Sequence, residues 1–82
     1  MSVSEQLKEH IAAEFMSGAP ATQLEDQTRL IDEEIIDSLG IFLLVNFIQE
    51  KFGVDIDPEE VTIENFETVA AITELVSPKL PA

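Results

Sequence analysis

Residues 35–53, IIDSLGIFLLVNFIQEKFG, decide the fold because they contain the start, body and end of one helix. Asp37 or Ser38 can act as the N-cap, since a side-chain oxygen there accepts a free backbone N–H of the first turn. Lys51 stands in the last turn, where a cation suits the helix dipole, and Gly53 suits the position just past the end. Ser38, at the mouth of the helix, is therefore either a plain cap residue or a point of chemical attachment.

The body of this second helix is apolar on nearly every side. At about 100° per residue, one arc suits the core and holds Ile41, Leu44, Val45, Ile48 and Phe52. The opposite arc holds Leu39, Phe42, Leu43 and Phe47, mixed with Asn46 and Glu50. A helix that is apolar all round is either wholly buried or carries a binding face, and 82 residues are too few to bury it wholly. The sequence therefore predicts a partner-binding surface on the outer arc.

Three further helices are predicted around it. Ser2 and Glu5 have the spacing of a capping box and open the first helix, whose apolar residues recur every fourth position. Thr62 is expected to cap a short third helix, and Thr68 a fourth that runs to Val76. The expected core consists of Val3, Leu7, Ile11, Phe15, Ile41, Leu44, Ile48, Phe52, Val54, Ile56, Phe66, Val69, Ile72 and Val76.

A long connection over residues 18–36 joins the first two helices. Its apolar residues are expected to pin it across the bundle, and they are Leu24, Leu30, Ile31, Ile35 and Ile36. Such a long loop in a small domain usually has a function. The prediction is an all-α, small four-helix bundle with three longer helices, one short helix and this loop. We expect one domain over residues 1–77 and a frayed tail over residues 78–82.

The composition limits the partners. Seventeen acidic residues against four basic ones leave a net charge of −13, so nucleic acid would be repelled. Proteins with basic patches and cations remain, and salt should raise the melting temperature by screening self-repulsion. No cysteine is present, and the longest apolar run, residues 41–45, is too short to span a membrane. With no leader segment at the N-terminus, we expect a cytoplasmic monomer without membrane insertion.

The residues alone offer no catalytic or metal site. Serine catalysis needs a general base, and His10, the single histidine, lies on another predicted helix. His10 has no partner at ligand spacing, so a surface or partly packed position is expected. The acids of residues 55–59 suggest a calcium loop, but its sixth position is not glycine and its twelfth is Phe66.

Ser38 is of interest because of its place at a helix N-terminus. The free N–H groups of a first turn favour an anion, so a phosphate ester on the Ser38 hydroxyl would be well placed. Gly40 removes bulk beside the hydroxyl, and a glycine inside a helix suggests that something approaches closely. Taken alone, the four residues Asp37-Ser38-Leu39-Gly40 are better explained as an ordinary helix cap.

The stretch Ile35-Ile36-Asp37-Ser38-Leu39-Gly40 resembles the phosphopantetheine attachment motif of acyl and peptidyl carrier proteins, whose shared core is Asp-Ser-Leu. The resemblance extends over nearly the whole chain. It includes residues 26–30, DQTRL, upstream, and residues 50–56, EKFGVDI, downstream. Residues 58–66, PEEVTIENF, look like the later signature of stand-alone carriers. The chain is thus identified as a member of the stand-alone carrier proteins.

The resemblance implies a function that the residues alone leave open. Ser38 would carry a 4′-phosphopantetheine arm, placed from coenzyme A by a phosphopantetheinyl transferase. The thiol of the arm would hold an acyl or aminoacyl group, supplied by an adenylating ligase and used by downstream acyl-processing enzymes. The carrier itself would not be an enzyme. Asp37 would help position the transferase and its metal, and Leu39 would contact partners beside the arm.

Departures from the family pattern indicate how partners dock. Gly40 and Leu43 stand where the second helix of fatty-acid carriers often has an acid, while Phe42 and Phe47 add aromatic bulk. Glu50 remains acidic. Partner binding through Leu39, Phe42, Leu43, Phe47 and Glu50 is therefore expected to depend more on apolar burial than on salt-sensitive attraction.

Three functions are weighed on this basis. A carrier in a specialised biosynthetic pathway is favoured, and the carrier of general fatty-acid synthesis is the alternative within the family. An unmodified acidic adaptor that binds proteins through the outer arc is the alternative from another class. A further departure is Glu34, which replaces a glycine found in many stand-alone carriers. The conformation of the turn before the motif is therefore not predicted.

Overall fold

The computed structural model describes residues 2–18 and 20–80. The four α-helices are α1 (Val3–Phe15), α2 (Ser38–Phe52), α3 (Ile63–Phe66) and α4 (Val69–Val76). Short 3₁₀ turns occur at Ala21–Gln23, Pro58–Glu60 and Ser77–Lys79. This architecture confirms the predicted all-α bundle of three longer helices and one short helix, with the long loop between α1 and α2.

Each α-helix begins where the sequence places its cap. An N-cap oxygen accepts the backbone N–H three residues further on, at 2.9–3.2 Å, and the caps are Ser2, Asp37, Thr62 and Thr68. The two candidates at α2 are now distinguished, since Asp37 is the cap and Ser38 is the first residue of the helix. Gly53 ends α2 in the left-handed conformation, with φ of 67°.

The core is formed by apolar side chains from all four helices and from the loops. The fully buried ones are Leu7, Ile11, Leu30, Leu44, Ile48, Phe66, Val69, Ile72 and Val76. Most of the predicted core positions are buried, but Val3, Phe15 and Phe52 are only partly buried and pack against its edge. The α1–α2 loop supplies Leu24, Leu30 and Ile36, as its apolar pattern predicted.

Backbone hydrogen bonds attach that loop to the residues around the start of α4. Leu30 donates its N–H to the Glu67 carbonyl at 2.8 Å, and Ala70 donates to the Asp26 carbonyl at 2.9 Å. Within the loop, the Ile36 N–H reaches the Leu30 carbonyl at 3.0 Å. The chain that enters α2 is therefore fixed just before Ser38.

The C-terminal segment continues past α4 and packs against the bundle. Residues 77–79 form a 3₁₀ turn, the Lys79 ammonium lies 2.8 Å from Glu60, and Leu80 packs against the core. Residues 78–80 of the expected frayed tail are thus docked, whereas residues 81 and 82 lie outside the described part of the chain. None of the helices over residues 2–18 and 20–80 combines the length and apolar character of a membrane span.

Candidate functional site

Ser38 occupies the exposed first position of α2. In an α-helix the N–H groups of the first turn lack partners within the helix, and the dipole makes this end positive. α2 has 15 residues, so the dipoles of several helical turns add up at this end. A hydroxyl that is exposed to solvent and set against this end suits a phosphodiester, whose charge the helix end favours.

Asp37 holds the first turn together. Its Oδ1 accepts the Gly40 N–H at 2.9 Å and so satisfies one of the free donors of α2. The side chain is exposed. Asp37 therefore has a structural role beside Ser38 that its local geometry alone explains.

Gly40 corrects the expectation that it clears space for an approaching enzyme. The residue is buried, and a Cβ atom there would lie 3.0 Å from the Ile36 Cβ and 3.2 Å from the Phe15 Cε1. The missing side chain makes room for the loop and for α1. Gly40 also cannot be counted as a docking position that lacks an acid, because it faces the core.

Glu34 resolves the question left by the missing glycine. Its φ is 59°, in the left-handed region that glycine tolerates best, and its N–H donates to the Ile31 carbonyl at 3.0 Å. The turn before the motif thus keeps a glycine-like conformation with a glutamate in it.

The outer face of α2, defined here as Leu39, Phe42 and Leu43, is exposed as predicted. The exposed fractions of these side chains are 65%, 59% and 49%. Glu50 is exposed further along the helix. Phe47 differs from the expectation, because it is half-buried and its ring stacks on His10 with centroids 3.7 Å apart and planes 7° apart.

Two grooves flank this outer face. The first, which we call the Ser38-side groove, has a volume of about 380 Å³ and is lined by Phe42, Val45, Ile56, Pro58 and Val61. The second, the α1–α2 cleft, has a volume of about 320 Å³ and is lined by His10, Glu14, Phe15, Leu43, Asn46, Phe47 and Glu50. A larger polar recess lies over Arg29 and Thr68, and Ser38 does not line it.

Two titratable side chains near these surfaces, His10 and Glu60, have shifted pKa values. Burial against Phe47 and Phe15 lowers the pKa of His10, and the Glu14 carboxylate opposes this with a smaller effect. The hydrogen bond from Lys79 lowers the pKa of Glu60, and the Asp57 N–H adds to the effect. His10 is partly packed, as expected from the sequence.

The sequence did not point to the α1–α2 cleft. Glu14, Phe15 and Asn46 line it, but none was a candidate site residue. Periodicity shows that α1 has an apolar face, yet it does not show which helix covers that face. The nearest signal was the half-polar composition of the outer arc around Asn46 and Glu50.

Comparisons with known proteins place this chain in a family. The family model described as "Phosphopantetheine attachment site" matches residues 5–76. "Probable acyl carrier protein PigG" of Serratia sp. (strain ATCC 39006) is 39% identical over 67 residues, which are 82% of this chain and 76% of the relative. A solved structure described as "Crystal structure of FAD-dependent dehydrogenase" contains a chain that is 32% identical, with a TM-score of 0.70. The alignment covers 83% of this chain and 94% of that one, so the matched chain is itself small.

Proposed function

We propose that Ser38 bears the 4′-phosphopantetheine group. The premise is that this chain belongs to the acyl carrier proteins, which hold that group covalently. The observation that carries the assignment is the exposed Ser38 hydroxyl at the positive end of α2, within the Asp-Ser-Leu sequence. When bound, the group supplies a thiol that holds the cargo as a thioester. The protein is a carrier and not a catalyst.

The residues around Ser38 hold the backbone of the first turn of α2 in place. Asp37 closes the first turn through Gly40, and the packing of Gly40 against Ile36 ties that turn to the preceding loop. The loop is in turn bonded to Glu67 through Leu30. Because the backbone of the first turn is already held, less of it has to be ordered when a transferase binds, which lowers the cost of that encounter.

The cargo that we propose is an acyl or aminoacyl group of a specialised biosynthetic pathway, loaded by an adenylating ligase. Support comes from the outer face of α2, where Leu39, Phe42 and Leu43 expose apolar surface to a partner. Carriers of general fatty-acid synthesis usually have acids on this helix, and Leu43 stands at one such position. The alternative of an unmodified acidic adaptor lacks support, because proteins of this family carry the phosphopantetheine group.

We also propose that a flavin-dependent dehydrogenase is among the enzymes that act on the cargo. The support is the likeness to a small chain from a structure described as an FAD-dependent dehydrogenase. Such an enzyme would remove a proton and a hydride from adjacent atoms of the cargo, forming a double bond while the flavin becomes dihydroflavin. Loaded protein incubated with a candidate dehydrogenase should lose two hydrogens by intact mass, and an unchanged cargo mass would argue against that enzyme as a partner.

The attachment site is tested by mass. The protein is incubated with coenzyme A and a broad-specificity phosphopantetheinyl transferase, and then weighed intact beside Ser38→Ala. The parent should gain one phosphopantetheine and the variant none. Ser77→Ala, which removes another exposed serine, is the matched control and should be modified like the parent. Modification of Ser38→Ala, or none of the parent, would contradict the assignment.

The docking surface is tested by ranking Phe42→Ala against Glu50→Ala in the same transferase assay. Phe42 exposes 59% of its side chain for burial by a partner, so truncation should lower kcat/KM by about tenfold. An exposed charge at the edge of a docking surface contributes less than about 1 kcal/mol, so Glu50→Ala should lower kcat/KM by only about threefold. Added salt should reduce this loss of kcat/KM further. The reverse ranking would show that charge dominates docking.

A further inference from the structure

The α1–α2 cleft is a second apolar recess that the attachment of the arm does not use. The stacked pair of His10 and Phe47 forms its inner wall, and Phe15 meets the His10 ring edge-on with centroids 6.4 Å apart. Leu43, which belongs to the outer face, also lines the cleft. The cleft is therefore continuous with the surface on which we propose that partners dock.

The position of Ser38 makes its own arm a poor occupant. Phe42 lies four residues after Ser38, about 40° away around α2, so a lining residue of the Ser38-side groove is on the same side of the helix as Ser38. Leu43 and Phe47 lie about 140° and 180° around the helix from Ser38. The exposed Leu39, about 100° around the helix, lies between Ser38 and these two cleft residues. A side chain from an enzyme seated on the outer face meets no such obstacle.

The charges at the cleft rim select the kind of side chain. Glu14 on α1 and Glu50 on α2 are both exposed, and neither makes an ion pair within residues 2–18 and 20–80. Burial favours the neutral form of His10, so the site adds no cation of its own. Apolar and aromatic walls beneath two carboxylates suit a cation that is weakly hydrated and flat. Guanidinium fits better than ammonium, because it stacks on rings and pairs with carboxylates in a fork.

We propose that the α1–α2 cleft binds an arginine side chain of the enzyme that docks on the outer face. Glu14 and Glu50 pair with the guanidinium, while Phe15, Leu43 and Phe47 cover its aliphatic stem. The role in docking rests on the carrier function proposed above. Partner contact would then extend from α2 to α1, and Glu14 would become a partner-binding residue that lies far from the attachment motif in sequence.

The experiment uses small amides as probes and needs no modified Ser38. ¹⁵N-labelled protein is titrated with N-acetylarginine methylamide, and in parallel with the lysine and norleucine amides, at one ionic strength. The arginine amide should give saturable shifts at residues that line the cleft and bind at least twofold more tightly than the lysine amide. Each carboxylate should contribute about threefold, so Glu14→Gln with Glu50→Gln should weaken binding about tenfold.

The controls separate a cleft from a merely acidic surface. Glu33→Gln with Glu74→Gln removes the same charge at exposed positions that do not line the cleft and should bind like the parent. Ser38→Ala should also bind like the parent, so failure of the attachment assignment would leave this result unaffected. Shifts spread evenly over the acidic surface, shifts confined to the Ser38-side groove, or equal binding by the Glu14/Glu50 variant would each overturn the proposal.

Discussion

Gly40 couples the first turn of α2, which begins at Ser38, to the core, because the absence of one side chain lets three segments meet. Its N–H is held by Asp37, and its α-carbon faces Ile36 of the loop and Phe15 of α1. Interiors are packed densely enough that one added methyl group is felt. The packing at Gly40 therefore restricts the size of the side chain that position 40 can hold, two residues after Ser38.

Gly40→Ala should therefore destabilise the fold without blocking modification. Overpacking costs about 1–3 kcal/mol, and the helix preference of alanine over glycine returns up to about 1 kcal/mol. The net loss of about 1–2 kcal/mol should lower the Tm by roughly 5–15 °C, measured by thermal denaturation. Well below that Tm, the transferase should still modify Ser38 at nearly the parent rate. An unchanged Tm with loss of modification would mean that Gly40 serves the approaching enzyme.

Glu34→Gly should stabilise the turn before the motif. A residue with a Cβ atom at φ of 59° is strained by about 1–2 kcal/mol, whereas the extra freedom of glycine in the unfolded chain costs about 0.5–1 kcal/mol. The free energy of unfolding should rise by about 0.5–1 kcal/mol, and the Tm by a few degrees. Glu33→Gly removes the same charge at a residue without positive φ, so it should raise the Tm less than Glu34→Gly does. Equal effects of both variants would point to charge as the cause.

The helices themselves were largely predictable because their signals are local. Asp37, Thr62 and Thr68 lie three residues before the N–H groups that they accept, and Gly53 needs only its own backbone freedom. The apolar loop residues were also recognisable, since a long loop in a small domain must pack on something. The Ser38 assignment needed more than these signals, because a cap sequence alone does not distinguish attachment from capping.

Contacts between elements were not predictable in the same way. The stack of His10 on Phe47 joins α1 to α2, and the sequence shows neither which helices are neighbours nor their rotation. Phe47 was assigned to the outer arc for this reason, although it is partly buried and its ring stacks on His10 of α1. The Phe15 contact at Gly40 was hidden likewise, so the glycine was interpreted from its neighbours in sequence alone.

The α1–α2 contact should make stability depend on pH. His10 has a pKa below its ordinary value of about 6.5 in the folded state, so the unfolded chain takes up its proton first. The contribution of neutral His10 is complete above about pH 6.5 and is lost as the pH falls from there through the lowered folded pKa. The Glu14 carboxylate opposes this lowering of the pKa with a smaller effect, and Glu50, Glu9 and Lys51 line the recesses that His10 also lines.

Urea unfolding at several values between pH 7.5 and 5.5 measures this dependence. The free energy of unfolding should decline over that interval in the parent and stay flatter in His10→Phe, which keeps a ring against Phe47. The chain contains no other histidine, so the difference between the two slopes reports on His10. An equal slope in both proteins would mean that the stack does not disfavour the imidazolium.

At the scale of the whole molecule, the dominant feature is unbalanced negative charge. The chain has a net charge of −13, and its described ion pairs are Lys8–Asp26, Arg29–Asp32 and Lys79–Glu60. Exposed pairs contribute about 1 kcal/mol or less each, which is too little to offset repulsion among so many acids. Its principal extents are 30 × 26 × 20 Å, whereas the screening length is about 30 Å at 0.01 M salt and about 3 Å at 1 M. At low salt, the acids thus repel one another across the entire molecule.

Raising KCl from 0.01 M to 0.5 M should therefore increase the Tm, by about 5 °C if screening returns on the order of 1 kcal/mol. Millimolar MgCl₂ should act more strongly than KCl of the same ionic strength, since a divalent cation is attracted more strongly to an anionic surface. Glu33→Lys lowers the net negative charge by two at an exposed turn, so it should raise the Tm at 0.01 M KCl and reduce the salt dependence. A Tm that is indifferent to both salts would show that self-repulsion does not limit the stability of this carrier.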